Sequence, residues 1–94
     1  MPRYKIAHIR EQGVDLIIVP LESSFGSKSS EDQDKAVLEL QIRSRTAGLA
    51  GTVVPVWDVG GGRMAFRTRN NLHPYFSSIS LLFVFANVNK ELSW

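Results

Sequence analysis

Residues 15–21 read DLIIVPL, an apolar run around which the rest of the chain is arranged. Leu16, Ile17, Ile18 and Val19 follow one another with no polar residue between them. A half-buried strand alternates apolar and polar side chains, because successive side chains point to opposite faces. Unbroken apolarity over a strand length means that both faces are covered, which places this segment centrally in a sheet. Pro20 has no amide hydrogen to give a ladder and marks where pairing is expected to end.

Upstream, residues 4–11 (YKIAHIRE) mix apolar and basic side chains at spacing two, the period of a strand. Gln12-Gly13 supplies the turn between the two strands. Downstream, residues 22–30 (ESSFGSKSS) form a polar loop that delivers the chain to a helix. The spacing predicts this helix over residues 31–47, with Val37, Leu40 and Ala47 on its apolar side, widened by Ala36, Leu38 and Ile42. Ser30 with Gln33 reads as a capping box. Glu31, Asp32 and Asp34 suit the positive end of the helix dipole, Arg43 and Arg45 the negative end, and Gly48 closes the helix.

Residues 51–59 (GTVVPVWDV) read as a third strand, with Pro55 pointing to a sheet edge or a bulge. Gly60-Gly61-Gly62 reads as a tight turn, and residues 63–69 (RMAFRTR) as a fourth strand. In that strand Met64, Phe66 and Thr68 share one face, while Arg63, Ala65, Arg67 and Arg69 share the other, basic face. Asn71 or His73 caps a second helix, expected over residues 74–90 with Pro74 at its first position. Phe76, Ile79, Phe83 and Ala86 form one apolar stripe at helical spacing, and Leu81, Phe85, Val88 and Leu92 form another.

The composition narrows the function classes. The chain has 94 residues, 44% hydrophobic and 21% charged, with a net charge of +2 and no cysteine. These values exclude disordered, collagen-like and disulfide-stapled classes and leave room for one domain. Residues 1–10 carry Arg3, Lys5 and Arg10 and lack the apolar centre of a signal peptide. The longest apolar run, residues 81–86, is far shorter than the roughly 20 residues of a membrane span. A cytoplasmic protein with no membrane contact is expected.

No catalytic constellation emerges from the residue types. His8 and His73 stand alone, without the clustered ligands of a metal site, so no metal or cofactor is expected. The Asp58-Val59-Gly60-Gly61-Gly62-Arg63 turn lacks the Gly-Lys-Ser/Thr ending of a phosphate loop, and a strand, not a helix, follows it. All acids except Glu91 precede Gly60, so Arg63, Arg67 and Arg69 form a local basic stripe. That stripe is the basis of an alternative reading, in which the protein contacts an anion or nucleic-acid phosphates. A second alternative is a small-ligand enzyme built from Asp58, Arg63 and His8.

Five segments carry a resemblance: RYKIAHIREQG, LIIVPLESSFGSKSS, AGLAGTVVPVWDVGGGRMAF, HPYFSSISL and NVNKELSW. Together they span nearly the whole chain. They resemble a family of small, uncharacterised bacterial proteins often encoded by mobile integron gene cassettes. The family supplies no activity to transfer, so the resemblance assigns no functional residue. It implies a bacterial, cytoplasmic accessory protein. Leu72 stands where relatives tend to carry an aromatic before the His-Pro pair, and residues 67–71 are more polar than the family pattern. The basic stripe is therefore read as particular to this chain.

The sequence thus predicts a single α+β domain over residues 1–94, in the order strand-strand-helix-strand-strand-helix. A four-stranded, mainly antiparallel sheet with both helices on one face is expected. The second apolar stripe then has nothing of its own chain to cover it, since a domain this small has little more to offer. A non-enzymatic, homodimeric binding module is the resulting expectation, with Leu81, Phe85, Val88 and Leu92 at the interface and the ligand unassigned.

Overall fold

The computed structural model describes residues 3–11, 13–68 and 72–93. Strand β1 (Arg3–Glu11) turns through Gly13, at φ 79°, into β2 (Val14–Leu21). A 3-10 turn (Ser23–Ser27) leads to helix α1 (Ser30–Thr46), followed by β3 (Thr52–Asp58) and β4 (Met64–Phe66). Helices α2 (His73–Ser78) and α3 (Leu81–Ala86) follow, and the last described element is β5 (Lys90–Ser93). The sheet order is β4-β3-β2-β1-β5. β2 and β3 are parallel, joined by the α1 crossover, and every other neighbouring pair is antiparallel.

The fold is α+β as expected, with three corrections. The first is the sheet, which has five strands and is mixed. A helix separates β2 from β3 in the chain, so the second strand returns in the same direction as the first.

The second is the placement of the helices, which cover opposite faces. Ile17, Val19 and Val53 pack with Leu40 of α1, joined by Ile6 and Leu92. Leu16, Ile18, Val54 and Val56 pack with Phe76 of α2 and Val84 of α3. The alternation of Leu16 and Ile18 against Ile17 and Val19 puts these two clusters on the two sides of β2. All four residues are at most 1% exposed. The unbroken apolar run already called for two covers, and the chain supplies both itself.

The third concerns residues 74–90, which are not one helix. Ile79 is extended (φ −110°, ψ 169°), and the Ser80 hydroxyl accepts the Phe83 N–H at 3.3 Å to start α3 afresh. After α3 the chain passes to β5, which pairs Lys90–Ser93 with Ile6–Arg3 of β1. Asn89 fixes this return. Its side-chain oxygen accepts the His8 N–H and its Nδ2 donates to the His8 carbonyl, both at 2.9 Å, while its own N–H donates to the Ile6 carbonyl at 3.0 Å.

Smaller differences have local causes. The cap of α1 is Ser29, whose Oγ accepts the Asp32 N–H at 3.1 Å. Gln33 does not close a capping box; its Nε2 donates to the Phe25 and Lys28 carbonyls. β4 is only three residues long. Pro55 lies inside β3, its carbonyl accepting the Arg67 N–H at 3.2 Å just beyond the end of β4. A strand residue's N and C=O point the same way, so the donor that proline lacks faces the side where β4 has stopped. Gly60, Gly61 and Gly62 form the expected β3–β4 turn, all at positive φ.

Candidate functional site

Pro20 shapes one end of the sheet. The β1–β2 register runs from Glu11↔Val14 to Ala7↔Ile18. The Ile6 carbonyl and the His8 backbone groups face β5, so the alternate residues Lys5 and Ala7 face β2. Continuing the ladder would place Pro20 opposite Lys5, and Pro20 has no N–H to give it. The ladder with β3, by contrast, runs on through Pro20 to Leu21↔Trp57.

An open cleft of about 620 Å³ lies at this carboxyl end of β2. Its apolar lining includes Leu21, Phe25 and Leu40 from the α1 side and Phe85 from α3. Arg3, Lys5 and Lys28 contribute positive charge, and Glu22 and Glu39 negative charge. Phe25 is held by an edge-on contact with Trp57, the ring centroids 5.0 Å apart. Gly26 allows that contact, because a Cβ there would come within 2.5 Å of the Trp57 indole nitrogen.

Helix α3 presents a second feature. Val84 is fully buried and anchors the helix, whereas Leu82 is 82% exposed, Phe85 54% and Phe83 38%. Of the four residues expected at an interface, Phe85 lies on this surface and Leu81 and Val88 are half-buried. Leu92 is 2% exposed and packs in the α1-side core, because it belongs to β5 and not to a helix. Leu82 and Phe83 stand outward in its place. Helical periodicity placed Phe83 on the other apolar stripe because it assumed one continuous axis from residue 74, whereas the helix restarts at Ser80.

The basic stripe is divided. The Arg67 guanidinium donates to Asp34 Oδ1 from Nε at 3.0 Å and from Nη2 at 2.7 Å, and its Nη1 donates to Gln33 Oε1 at 2.9 Å. Arg67 thus holds the first turn of α1. Arg63 is exposed on the hairpin turn, and Arg69 lies outside the described residues.

The remaining candidates are separate. His8 Nε2 donates to the Ala50 carbonyl at 2.8 Å, just before β3, whereas the Asp58 carboxylate accepts the Gly60 N–H at 2.7 Å just past the strand's other end. A strand of this length rises about 20 Å, so His8, Asp58 and Arg63 do not share a cleft. His73 packs edge-on against Phe66 with centroids 5.2 Å apart. Among the described residues no group of three His, Cys, Asp or Glu side chains gathers to hold a metal. No described helix is long and apolar enough to cross a membrane.

Another hollow, of about 680 Å³, is bordered by Glu11, Leu72, Pro74 and Tyr75. The Tyr75 hydroxyl is buried with no hydrogen-bond partner among the described residues. Burial, and then the nearby Glu11 carboxylate, raise its pKa above the usual tyrosine value.

These features define a small α+β domain with a five-stranded mixed sheet, a helix layer on each face, a charged cleft at the end of β2 and an apolar helix surface beside it. Comparison with known proteins finds no matching family model, no similar curated protein and no similar solved structure.

Proposed function

We propose that the protein is a non-enzymatic binding module of the accessory kind associated with integron cassettes, and that it pairs with a second copy of itself through α3. The observation that carries this reading is the outward display of Leu82, Phe83 and Phe85 on a six-residue helix anchored by Val84. Large apolar side chains gathered on one short element are characteristic of association surfaces. A two-fold axis beside α3 brings the same three residues of each copy together, the commonest closed arrangement for soluble oligomers.

The magnitudes point to a modest dimer. Fully burying a Leu or Phe side chain yields about 1.5–3 kcal/mol, and these residues are already partly covered. Association costs at least about 4 kcal/mol in lost freedom. The expected dissociation constant is therefore micromolar or weaker. Sedimentation equilibrium from 10 to several hundred micromolar is the direct test, with concentrations chosen to bracket about 100 µM, a free energy near −5.5 kcal/mol. A rising average mass that Leu82→Glu abolishes is expected. A strict monomer across that range overturns the reading.

A further inference from the structure

The cleft at the carboxyl end of β2 has a chemistry of its own and adjoins the pairing surface at Phe85. We infer that it binds a small organic anion with an apolar body, such as an aliphatic or aromatic carboxylate. Three observations converge on this class.

The first is size. About 620 Å³ falls within the range of roughly 300–1,000 Å³ typical of small-molecule sites. The second is the lining. Half-buried Leu21 and exposed Phe85 offer apolar surface from the two sheet faces, backed by the buried Phe25 and Leu40, and Phe25 is fixed in place by Trp57. Such a lining takes up a hydrocarbon or ring and leaves orientation to a few polar groups.

The third is charge. Arg3, Lys5 and Lys28 outnumber Glu22 and Glu39 around the cleft. Among the described residues no carboxylate lies within ion-pairing distance of Lys5 or Lys28. Arg3 meets Glu91 only at 4.0 Å, between two largely exposed side chains. An anionic head group supplies the partner that Lys5 and Lys28 lack, and its attraction is strengthened beside the low-dielectric apolar wall. A neutral apolar molecule would use only the floor, and a cation would meet net repulsion.

The pairing surface and the cleft share Phe85, so the test uses residues that belong to one feature alone. Octanoate is the probe, with octylammonium as its charge-reversed counterpart, and binding is followed by amide chemical-shift changes in the intact protein. Octanoate is expected to bind in the millimolar range or tighter, shifting the amides of Leu21, Phe25 and Leu40. Octylammonium should bind at least tenfold more weakly. Lys5→Glu with Lys28→Glu changes two exposed side chains and should weaken octanoate at least tenfold while leaving the fold and its spectrum in place. Leu82→Glu, outside the cleft, should leave octanoate binding unchanged even where it abolishes pairing. Equal binding of the two probes, shifts confined to α3, or no effect of the double lysine substitution overturns the proposal.

Discussion

Arg67 is bound to Asp34 across 33 positions of sequence, its Nη2 lying 2.7 Å from the carboxylate. A third nitrogen of the same guanidinium reaches Gln33, which is 8% exposed and holds the 3-10 turn through the Phe25 carbonyl. One arginine beyond β4 thus ties together the start of α1 and the turn that walls the cleft. Its position in the basic stripe suggested an outward role; its partners give it an inward one.

Arg67→Ala is expected to lower the unfolding free energy by about 1 kcal/mol. The ion pair itself is largely exposed and contributes at most a part of that, while the bond to the buried Gln33 contributes the rest. Arg63→Ala, on the exposed turn, should change stability by less than about 0.5 kcal/mol. Urea unfolding of the two variants makes the comparison, and equal effects would remove the structural role of Arg67.

Leu92→Ala should cost about 2–5 kcal/mol, since a buried leucine is truncated in a packed cluster. Leu82→Glu should leave stability within about 0.5 kcal/mol of the parent, because Leu82 is 82% exposed. Thermal and urea unfolding at a concentration where both are monomeric distinguishes core from surface. A reversal of the two effects would show that β5 and α3 have exchanged roles.

Gly51→Ala meets two obstacles at once. Gly51 has φ 132°, and a Cβ there would stand 2.7 Å from the Asp15 carbonyl oxygen, a backbone atom that cannot swing aside. A loss of about 2 kcal/mol or more is expected from combined strain and overlap. Gly48→Ala has open space around its Cβ and carries only the positive-φ cost, about 1 kcal/mol. Parallel denaturation curves with Gly51 the worse of the two are the anticipated result.

Tyr75 contributes to the alkaline loss of stability. Its pKa is raised in the folded protein, first by burial and then by Glu11. Below the unfolded value, near 10, both states keep the proton and the contribution is complete. As the pH rises further the unfolded chain ionises first, so stability falls until the folded phenol also ionises. Tyr75→Phe should abolish that part of the alkaline loss, and at neutral pH it should be neutral or slightly stabilising because the hydroxyl has no partner among the described residues. Unfolding free energies measured at pH 7 and at pH 11 in both proteins check the sign.

The surface character of α3 was partly visible in the sequence, and the cleft was not. A row of apolar residues after Ser80 announced excess apolar surface, and Phe85 was among those expected to face outward. Leu92 misled because spacing of three and four continued past Asn87 into a strand. The cleft has no motif at all: Lys5, Leu21, Lys28, Leu40 and Phe85 are spread along the chain and meet only at the end of β2. The Arg67–Asp34 contact was equally silent, since nothing in either segment names the other.

Short-range chemistry by itself determined the paired first strands, the long α1 with acids at its start and arginines at its end, the glycine hairpin and the central position of residues 15–21. Each follows from side-chain periodicity, capping or backbone freedom within a few residues. Tertiary structure decided which face each helix covers, where the C-terminal segment breaks, and that its last residues become a sheet edge. Those outcomes depend on partners far apart in sequence. Asn89 must find the backbone of His8, and Leu92 must join the cluster of Ile6, Ile17 and Leu40, before a strand is worth more than another turn of helix.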